Sequence, residues 1–460
     1  MFRNIVNTFS NCFKIPELKS RIFFTIVVLA VCRLTAYIHI PGLDAATLND
    51  ALDKASRNGN GGVLGLLAAF SGGAIQNCAI GALTIIPYIS ATIIIQLLTA
   101  VVPQLSKMAR EEGGRAKIIQ YGRYLTVLLC VGQGLFTAIG YEHPEKVLQV
   151  PINSLILYPD SWIWWYRIQT TIILTTGTML LMWLGEQITD RGIGNGVSLI
   201  ITVNILSRLP NAWIGLKDMF LGSDEGSKAN MGHAIALVLL LAGVIAGIVA
   251  ITQAQRKIPV TYAQRAVGRK VFAGGTNYMP LRVNYAGVMP VIFAQSILLF
   301  PAKAAMFIGN GLNIRFFTEI AQYLNEEKFL YIFLYSLLIL FFSYFWVATQ
   351  FNELQIADDL KKNGGYIPGV RPGQATSDYL HNTMSRITLA GAIFLVIISV
   401  IPILLSNMMH IPGTVSQFFG GTSMLIAVGV MLDTMRQMES HLLMRHYDGF
   451  LKKGRLKGRF

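Results

Sequence analysis

Ile85-Ile86-Pro87-Tyr88-Ile89-Ser90 and Val288-Met289-Pro290-Val291-Ile292 are the two stretches on which the fold turns. Each carries a proline within an apolar run long enough to cross a bilayer, and each run is the second of a series of five. Apolar segments bounded by charge or turn clusters fall near 22–40, 75–101, 118–140, 165–185, 195–212, 232–254, 284–308, 329–350, 386–406 and 420–438. At about 20 residues per crossing these make ten membrane helices. Matching proline-interrupted segments at corresponding positions point to an internal repeat. Because five is odd, the second copy is inverted in the membrane. An eleventh apolar piece, Gly62 to Phe70, is too short to span. It lies between Arg57-Asn58-Gly59-Asn60-Gly61 and Ser71-Gly72-Gly73 and reads as a re-entrant half-helix.

The bulk composition agrees. The 460 residues are 53% hydrophobic and only 13% charged, and the mean hydropathy is +0.51. A soluble chain of this size carries roughly a quarter charged residues, and a disordered one needs low hydrophobicity. Both classes are excluded. The fold class is therefore an all-α polytopic membrane protein. The first residues are polar and mildly basic, and the apolar run from Ile22 has no small-residue cleavage pattern, so it reads as the first span. The four cysteines (Cys12, Cys32, Cys78, Cys130) match no metal or disulfide spacing.

Charge sets the orientation. With both termini cytoplasmic, 27 of the 38 Lys and Arg residues face inward, ten face outward, and Arg33 lies within the first span. That bias is a positive-inside signal. The division is then 1–21 as a cytoplasmic N-terminal segment, 22–212 as the N-terminal half with the half-helix at about 61–73, and 213–231 as an outer loop. Residues 232–438 form the C-terminal half, and 439–460 a basic cytoplasmic tail. Two inner loops, about 253–283 and 351–385, are long for a helical bundle. The first carries six basic residues and no acid, and the second a tip reading Gly364-Gly365-Tyr366-Ile367-Pro368-Gly369-Val370-Arg371-Pro372-Gly373. Such loops serve topology and anionic lipid, or they receive a large acidic or nucleic-acid-bearing partner. The composition leaves both open.

No stretch supports catalysis or a cofactor. H-E-x-x-H and the phosphate loop are absent, and the dipeptide Gly-Lys never occurs. Gly192-Ile193-Gly194-Asn195-Gly196 joins two apolar spans and reads as a tight interhelical turn capped by Asn195, not as a dinucleotide fingerprint. Asp433 stands alone near a helix end, His441 and His446 lie in a polar tail, and Gly243 with Gly247 reads as a close-packing face. Coupled transporters place ionisable groups at mid-membrane; here only Arg33, Glu186 and Asp433 qualify. A secondary transporter with inverted repeats is the alternative reading, and it lacks its charged substrate site.

His39-Ile40-Pro41-Gly42, Phe70-Ser71-Gly72-Gly73, Ile86-Pro87-Tyr88-Ile89-Ser90-Ala91 and Gly185-Glu186-Gln187-Ile188-Thr189-Asp190-Arg191-Gly192 continuing to Gly196 resemble the SecY family, channel subunits of bacterial protein translocases. So do Arg256-Lys257-Ile258-Pro259-Val260, Gly369-Val370-Arg371-Pro372-Gly373 and Gly421-Thr422-Ser423, and the likeness runs over about residues 15–455. Two places depart: Asn352 is followed by Glu353 where the family commonly has proline, and Arg110-Glu111-Glu112-Gly113-Gly114-Arg115 rearranges the usual inner-loop pattern.

The resemblance implies two inverted halves closing like a clamshell around a pore for unfolded polypeptide in the bacterial cytoplasmic membrane, with lateral release of membrane segments. It implies a pore ring of Ile85, Ile89, Val197, Ile201, Ile292 and Ile426. Ile85/Ile89 and Val197/Ile201 are i, i+4 pairs, each on one helix face. Aliphatic side chains offer water and ions no ligands and so seal by dewetting; read without the resemblance, the same residues are ordinary packing. The half-helix becomes a plug, with Gly62, Val63, Leu64, Leu66, Leu67 and Phe70. Pro87, Ser90, Thr92, Pro290 and Gln295 become the lateral gate. Arg256, Lys257, Arg265, Arg269 and Arg371 become contacts for the ribosome, through rRNA phosphates, or for the SecA motor ATPase. Further implied partners are SecE-like and SecG-like small membrane subunits, nascent chains with their signal sequences, and anionic lipids.

Overall fold

A computed structural model describes residues 15–49, 71–111, 113–144, 155–210, 213–214, 216–217, 231–262, 265–267, 270–272, 275–312, 315–324, 328–409 and 422–453. In chain order the principal elements of the first part are α1 (Pro16–Leu34), α2 (Ile86–Val101), α3 (Pro103–Arg110), α4 (Gly114–Glu142), α5 (Ile163–Arg191) and α6 (Gly196–Leu206). Then come α7 (Met231–Gln253), β1 (Gln255–Tyr262), β2 (Arg265–Val267), β3 (Lys270–Phe272), β4 (Thr276–Arg282) and α8 (Met289–Leu312). The chain continues as α9 (Arg315–Tyr323), α10 (Phe329–Gln350), α11 (Glu353–Lys362), β5 (Gly365–Tyr366), α12 (Gln374–Met409) and α13 (Thr422–Lys453). The ten expected spans correspond to α1, α2, α4, α5, α6, α7, α8, α10, α12 and α13. Gly114–Glu142, Ile163–Arg191, Phe329–Lys362 and Gln374–Leu404 are each long and apolar enough to cross a membrane alone, and α2 bends by 103° into α3.

The packing repeats itself. In the first set α2 lies on α4, α4 on α5, α5 on α6, and α1 on both α5 and α6. In the second set α8 lies on α10, α10 on α12, α12 on α13, and α7 on both α12 and α13. Helix for helix these are the same five contacts, so the repeat suggested by two prolines holds for whole five-helix sets. The sets meet through α2 with α8 and α6 with α13. One apolar cluster, from Val28 on α1 to Val430 on α13, runs across that seam.

Two expectations about the proline segments are corrected. The span drawn over 75–101 is helical only from Ile86; residues before it are a chain of turns, with Cys78 and Thr84 at positive φ. That irregular backbone is largely buried, and its polar groups are met by the segment after α1. Ile40 N–H donates to the Cys78 carbonyl, Ile80 N–H to Ile38, and Gly81 N–H to Thr35. Non-helical chain at membrane depth survives where protein covers it. Nor do the prolines interrupt their helices. Pro87 and Pro290 are each the second residue of α2 and α8, where a missing N–H costs no hydrogen bond; Pro301 is the proline inside α8.

The turn at 192–196 is built for close approach. Asn195 caps α6, its side chain accepting from Ser198 N–H at 3.2 Å. A Cβ at Gly196 would stand 1.9 Å from the Gly185 carbonyl oxygen, so α5 and α6 touch backbone to backbone. Gly247 packs on Ile398 as a close-packing residue should, whereas Gly243 faces open space. Bidentate ion pairs fasten α4 to α5 near both ends: Arg123 with Glu186 (2.7 Å) and Arg167 with Glu142 (2.8 Å).

The two long loops add strands to the all-α reading. β1 pairs antiparallel with β4, from Gln255↔Arg282 to Thr261↔Thr276, and β5 from the other loop joins β1 at Thr261↔Tyr366 and Tyr262↔Gly365. Ile258, Val260, Leu281, Val347, Phe351, Ile367, Leu380, Met384 and Ile387 form a core beneath them. Two loops distant in sequence are thus one folded platform.

Candidate functional site

The six aliphatic residues of the expected ring come from four helices at the seam: Ile85 and Ile89 from the start of α2, Val197 and Ile201 from α6, Ile292 from α8, and Ile426 from α13. All six belong to the same apolar cluster. Ile85, Ile89, Ile201 and Ile292 line a shared cavity together with Thr84, Ile86, Asn204, Gln295 and Ser296. Its volume of about 20 Å³ has room for roughly one water. Ile426 is fully buried and Val197 partly so, and both pack into the cluster without lining the cavity. So small a space, walled largely by aliphatic side chains, leaves no room for a hydrated ion.

Of the residues expected at the lateral gate, Pro87, Ser90 and Thr92 belong to α2 and Pro290 and Gln295 to α8, two helices in contact. Pro87, Ser90, Pro290 and Gln295 are buried, and Thr92 is half-buried. The Thr92 hydroxyl donates to the Ile89 carbonyl at 2.7 Å, turning its polarity back into its own helix. The Ser90 hydroxyl is buried without a hydrogen-bond partner among the described residues. Among the described residues no ion pair joins α2 to α8, in contrast to the ion-paired α4–α5 seam.

Sequence reading missed the polar side of this cavity. Thr84 accepts from Ile86 N–H at 3.2 Å and so starts α2. Asn204 lies one turn beyond Ile201 and accepts a hydrogen bond from Arg33 at 3.3 Å. A lone Asn near the end of an apolar span was the available signal.

On the platform, Arg256 and Lys257 are exposed on β1 while Ile258 and Val260 point into its core. Arg371 is exposed at a tip whose glycines 369 and 373 both have positive φ; its carbonyl accepts from the Thr376 hydroxyl at 2.9 Å, which fixes the backbone and leaves the guanidinium outward. Arg265 belongs to β2, and nothing is assigned to its side chain. Arg269 lies outside the described residues, as do Gly62, Val63, Leu64, Leu66, Leu67 and Phe70 of the expected plug. Asn352 caps α11, accepting from Gln355 N–H at 3.2 Å, and Glu353 pairs with His381 at 2.6 Å.

The SecY family model matches residues 79–435. The protein translocase subunit SecY of Chlamydia trachomatis is 42% identical over 463 residues, covering 98% of this chain and 99% of that one. The corresponding subunit of Escherichia coli K12 is 41% identical over 448 residues, 96% of each. A solved structure of a protein-conducting channel superposes with a TM-score of 0.63 at 18% identity, covering 97% of this chain and 99% of that one. Sec61 in a canine ribosome–channel complex gives 0.58 at 17% identity, with the same coverages. Shared fold, near-complete coverage and identity of this level all point one way: the chain belongs to the SecY family.

Proposed function

We propose that this protein is the central subunit of a protein-conducting channel, passing unfolded polypeptide across the bacterial cytoplasmic membrane and releasing membrane segments sideways into it. The observation that carries the reading is the meeting of Ile85, Ile89, Val197, Ile201, Ile292 and Ile426 in one apolar cluster at the seam of two repeated five-helix sets. An aliphatic constriction suits this task. It seals against ions because it gives them no ligands, yet it lets any side chain pass because it demands no specific hydrogen bond. The absence of a mid-membrane charged cluster among the described residues weighs against the transporter alternative.

Both termini are assigned to the cytoplasm, and the halves to 22–212 and 232–438. The segment about 61–73, with Gly62 to Phe70 at its centre, is assigned as the plug. Pro87, Ser90, Thr92, Pro290 and Gln295 are assigned to the lateral gate between α2 and α8. Arg256, Lys257, Arg265, Arg269 and Arg371 are assigned to the docking of a ribosome, whose RNA phosphates reward basic side chains without sequence readout, or of a SecA-type motor. No nucleotide motif occurs in the sequence, so energy comes from such a partner or from the membrane potential. SecE-like and SecG-like subunits brace the two halves, and anionic lipids meet the inner basic face.

The test is ion flux and motor-driven translocation in vesicles containing the full channel complex at matched protein density. Ile89→Asn places an amide in the constriction and is expected to leak. Ile94→Asn, on an exposed face of the same helix, is expected to seal as the unmodified protein does. Equal flux from the two variants removes the ring assignment; loss of translocation by neither motor removal nor channel removal sinks the channel reading itself.

A further inference from the structure

Arg33 is a charged side chain in the last turn of α1, inside the apolar run read as the first span, a position that costs free energy and demands a partner. Its partner is a backbone atom. Nη1 and Nη2 both donate to the Gly72 carbonyl at 3.2 Å, and Nη1 also donates to Asn204 Oδ1 at 3.3 Å. The Ser207 hydroxyl, at the end of α6, reaches the same Gly72 oxygen at 3.4 Å. The guanidinium lies 5.5 Å from the Tyr37 ring, which covers it. Gly72 is at φ +59°, and a Cβ there would stand 2.5 Å from Arg33 Nη1. Glycine is thus required twice, for the backbone conformation and for the approach of the guanidinium. Three separate pieces of chain, α1, α6 and residues 71–73, converge on one oxygen.

Asn204 also lines the cavity beside Ile201, and the turns that begin at Ser71 end at Ile85, which lines the same cavity. The contact therefore fixes, from one end, the buried run that delivers Ile85 to the constriction. We propose that Arg33 is a positioning residue that latches the constriction closed: its bonds to Gly72 and Asn204 hold residues 71–85 against α6, and they must break for the ring to widen. This rests on the ring reading above. Charge-assisted hydrogen bonds of this kind are about twice as strong as neutral ones, so their loss should raise the open population about tenfold or more.

The experiment measures ion flux through vesicles containing the full channel complex, together with export of a substrate carrying a defective signal sequence. Arg33→Gln, Arg33→Lys, Asn204→Leu and Ile89→Asn are compared at matched protein density, with thermal unfolding measured alongside. Arg33→Gln is expected to leak about tenfold more than the unmodified channel and to pass the defective substrate, with Arg33→Lys between the two. Asn204→Leu decides the matter even where Arg33→Gln fails to insert. Leucine makes the cavity more apolar, so a direct effect on the ring would tighten the seal, whereas loss of the latch loosens it. Leak from Asn204→Leu with unchanged unfolding supports the latch. Leak from Ile89→Asn with tight seals in the Arg33 and Asn204 variants overturns the latch and leaves the ring standing. Tight seals in all variants overturn the ring, and the latch falls with it.

Discussion

At the scale of single residues, the structure separates positions that carry the fold from exposed positions with little packing to lose. Gly196 is of the first kind. With the Gly185 carbonyl oxygen 1.9 Å from where its Cβ would sit, Gly196→Ala must push α5 and α6 apart, and overpacking of this sort costs about 1–3 kcal/mol. The expected outcome is a lower midpoint in thermal unfolding of the purified complex and a lower inserted yield; an unchanged midpoint would show that the helices can separate freely. Arg371 is of the second kind. Its side chain is exposed at a glycine-bounded tip, so Arg371→Glu has little packing to lose, while charge reversal turns attraction into repulsion at a basic docking surface. Normal thermal unfolding with loss of motor-driven export is expected, measured by substrate protected inside vesicles. Undiminished export would take Arg371 out of the mechanism.

At the scale of elements, the family's Asn-Pro and this chain's Asn352-Glu353 turn out to be two solutions to one problem, how to begin α11. Proline at the first helical position gives up an N–H that has no intrahelical acceptor; glutamate there complements the helix dipole and here pairs with His381. Asn352 supplies the cap in either case. Asn352→Ala is therefore expected to destabilise α11 by about 1 kcal/mol, seen as faster amide exchange over 353–362 with the spans unaffected, whereas Glu353→Pro should leave that exchange nearly unchanged. Equal exchange in Asn352→Ala and the unmodified protein would deny the cap its role. What was legible in the sequence, and what was not, follows the same physics. Apolar runs and basic clusters announce spans and topology because bilayer and charge act residue by residue. The β1–β4 hairpin was hidden within a loop identified only by its length and charge. The turns from Ser71 to Ile85 were hidden because their composition is apolar like a helix; only pairing with residues 35–40, far off in sequence, lets them stay irregular. Arg33 was noticed as an oddity, but its acceptor is a backbone carbonyl, which leaves no mark in a sequence.

At the scale of the whole molecule, five helix contacts recur in both halves, and the halves meet along few lines. One of these, α6 with α13, adjoins a join on which Gly194 N–H donates to the Gln437 side chain at 2.8 Å and Leu18, Ile193 and Met438 form an apolar knot. The other, α2 with α8, carries no ion pair among the described residues, and it is the side expected to part if membrane segments leave laterally. Pro87 and Pro290 do not loosen it by kinking its helices, since both sit in first turns. This gives a prediction for a covalent staple. Cysteines at Ile86 and Ser296, which line the same cavity from α2 and α8, joined by a short crosslinker attached through disulfides, should block insertion of membrane proteins, and reduction should restore it. The pair is built with Cys12, Cys32, Cys78 and Cys130 replaced by alanine, so that no other thiol competes for the linker. A series of crosslinkers of increasing length separates a closed seam from a distorted one: distortion would persist at every length, whereas a seam that must part regains insertion once the linker exceeds the width of a helix, about 10 Å. Insertion at full rate through the shortest staple would mean that membrane segments leave by some other route.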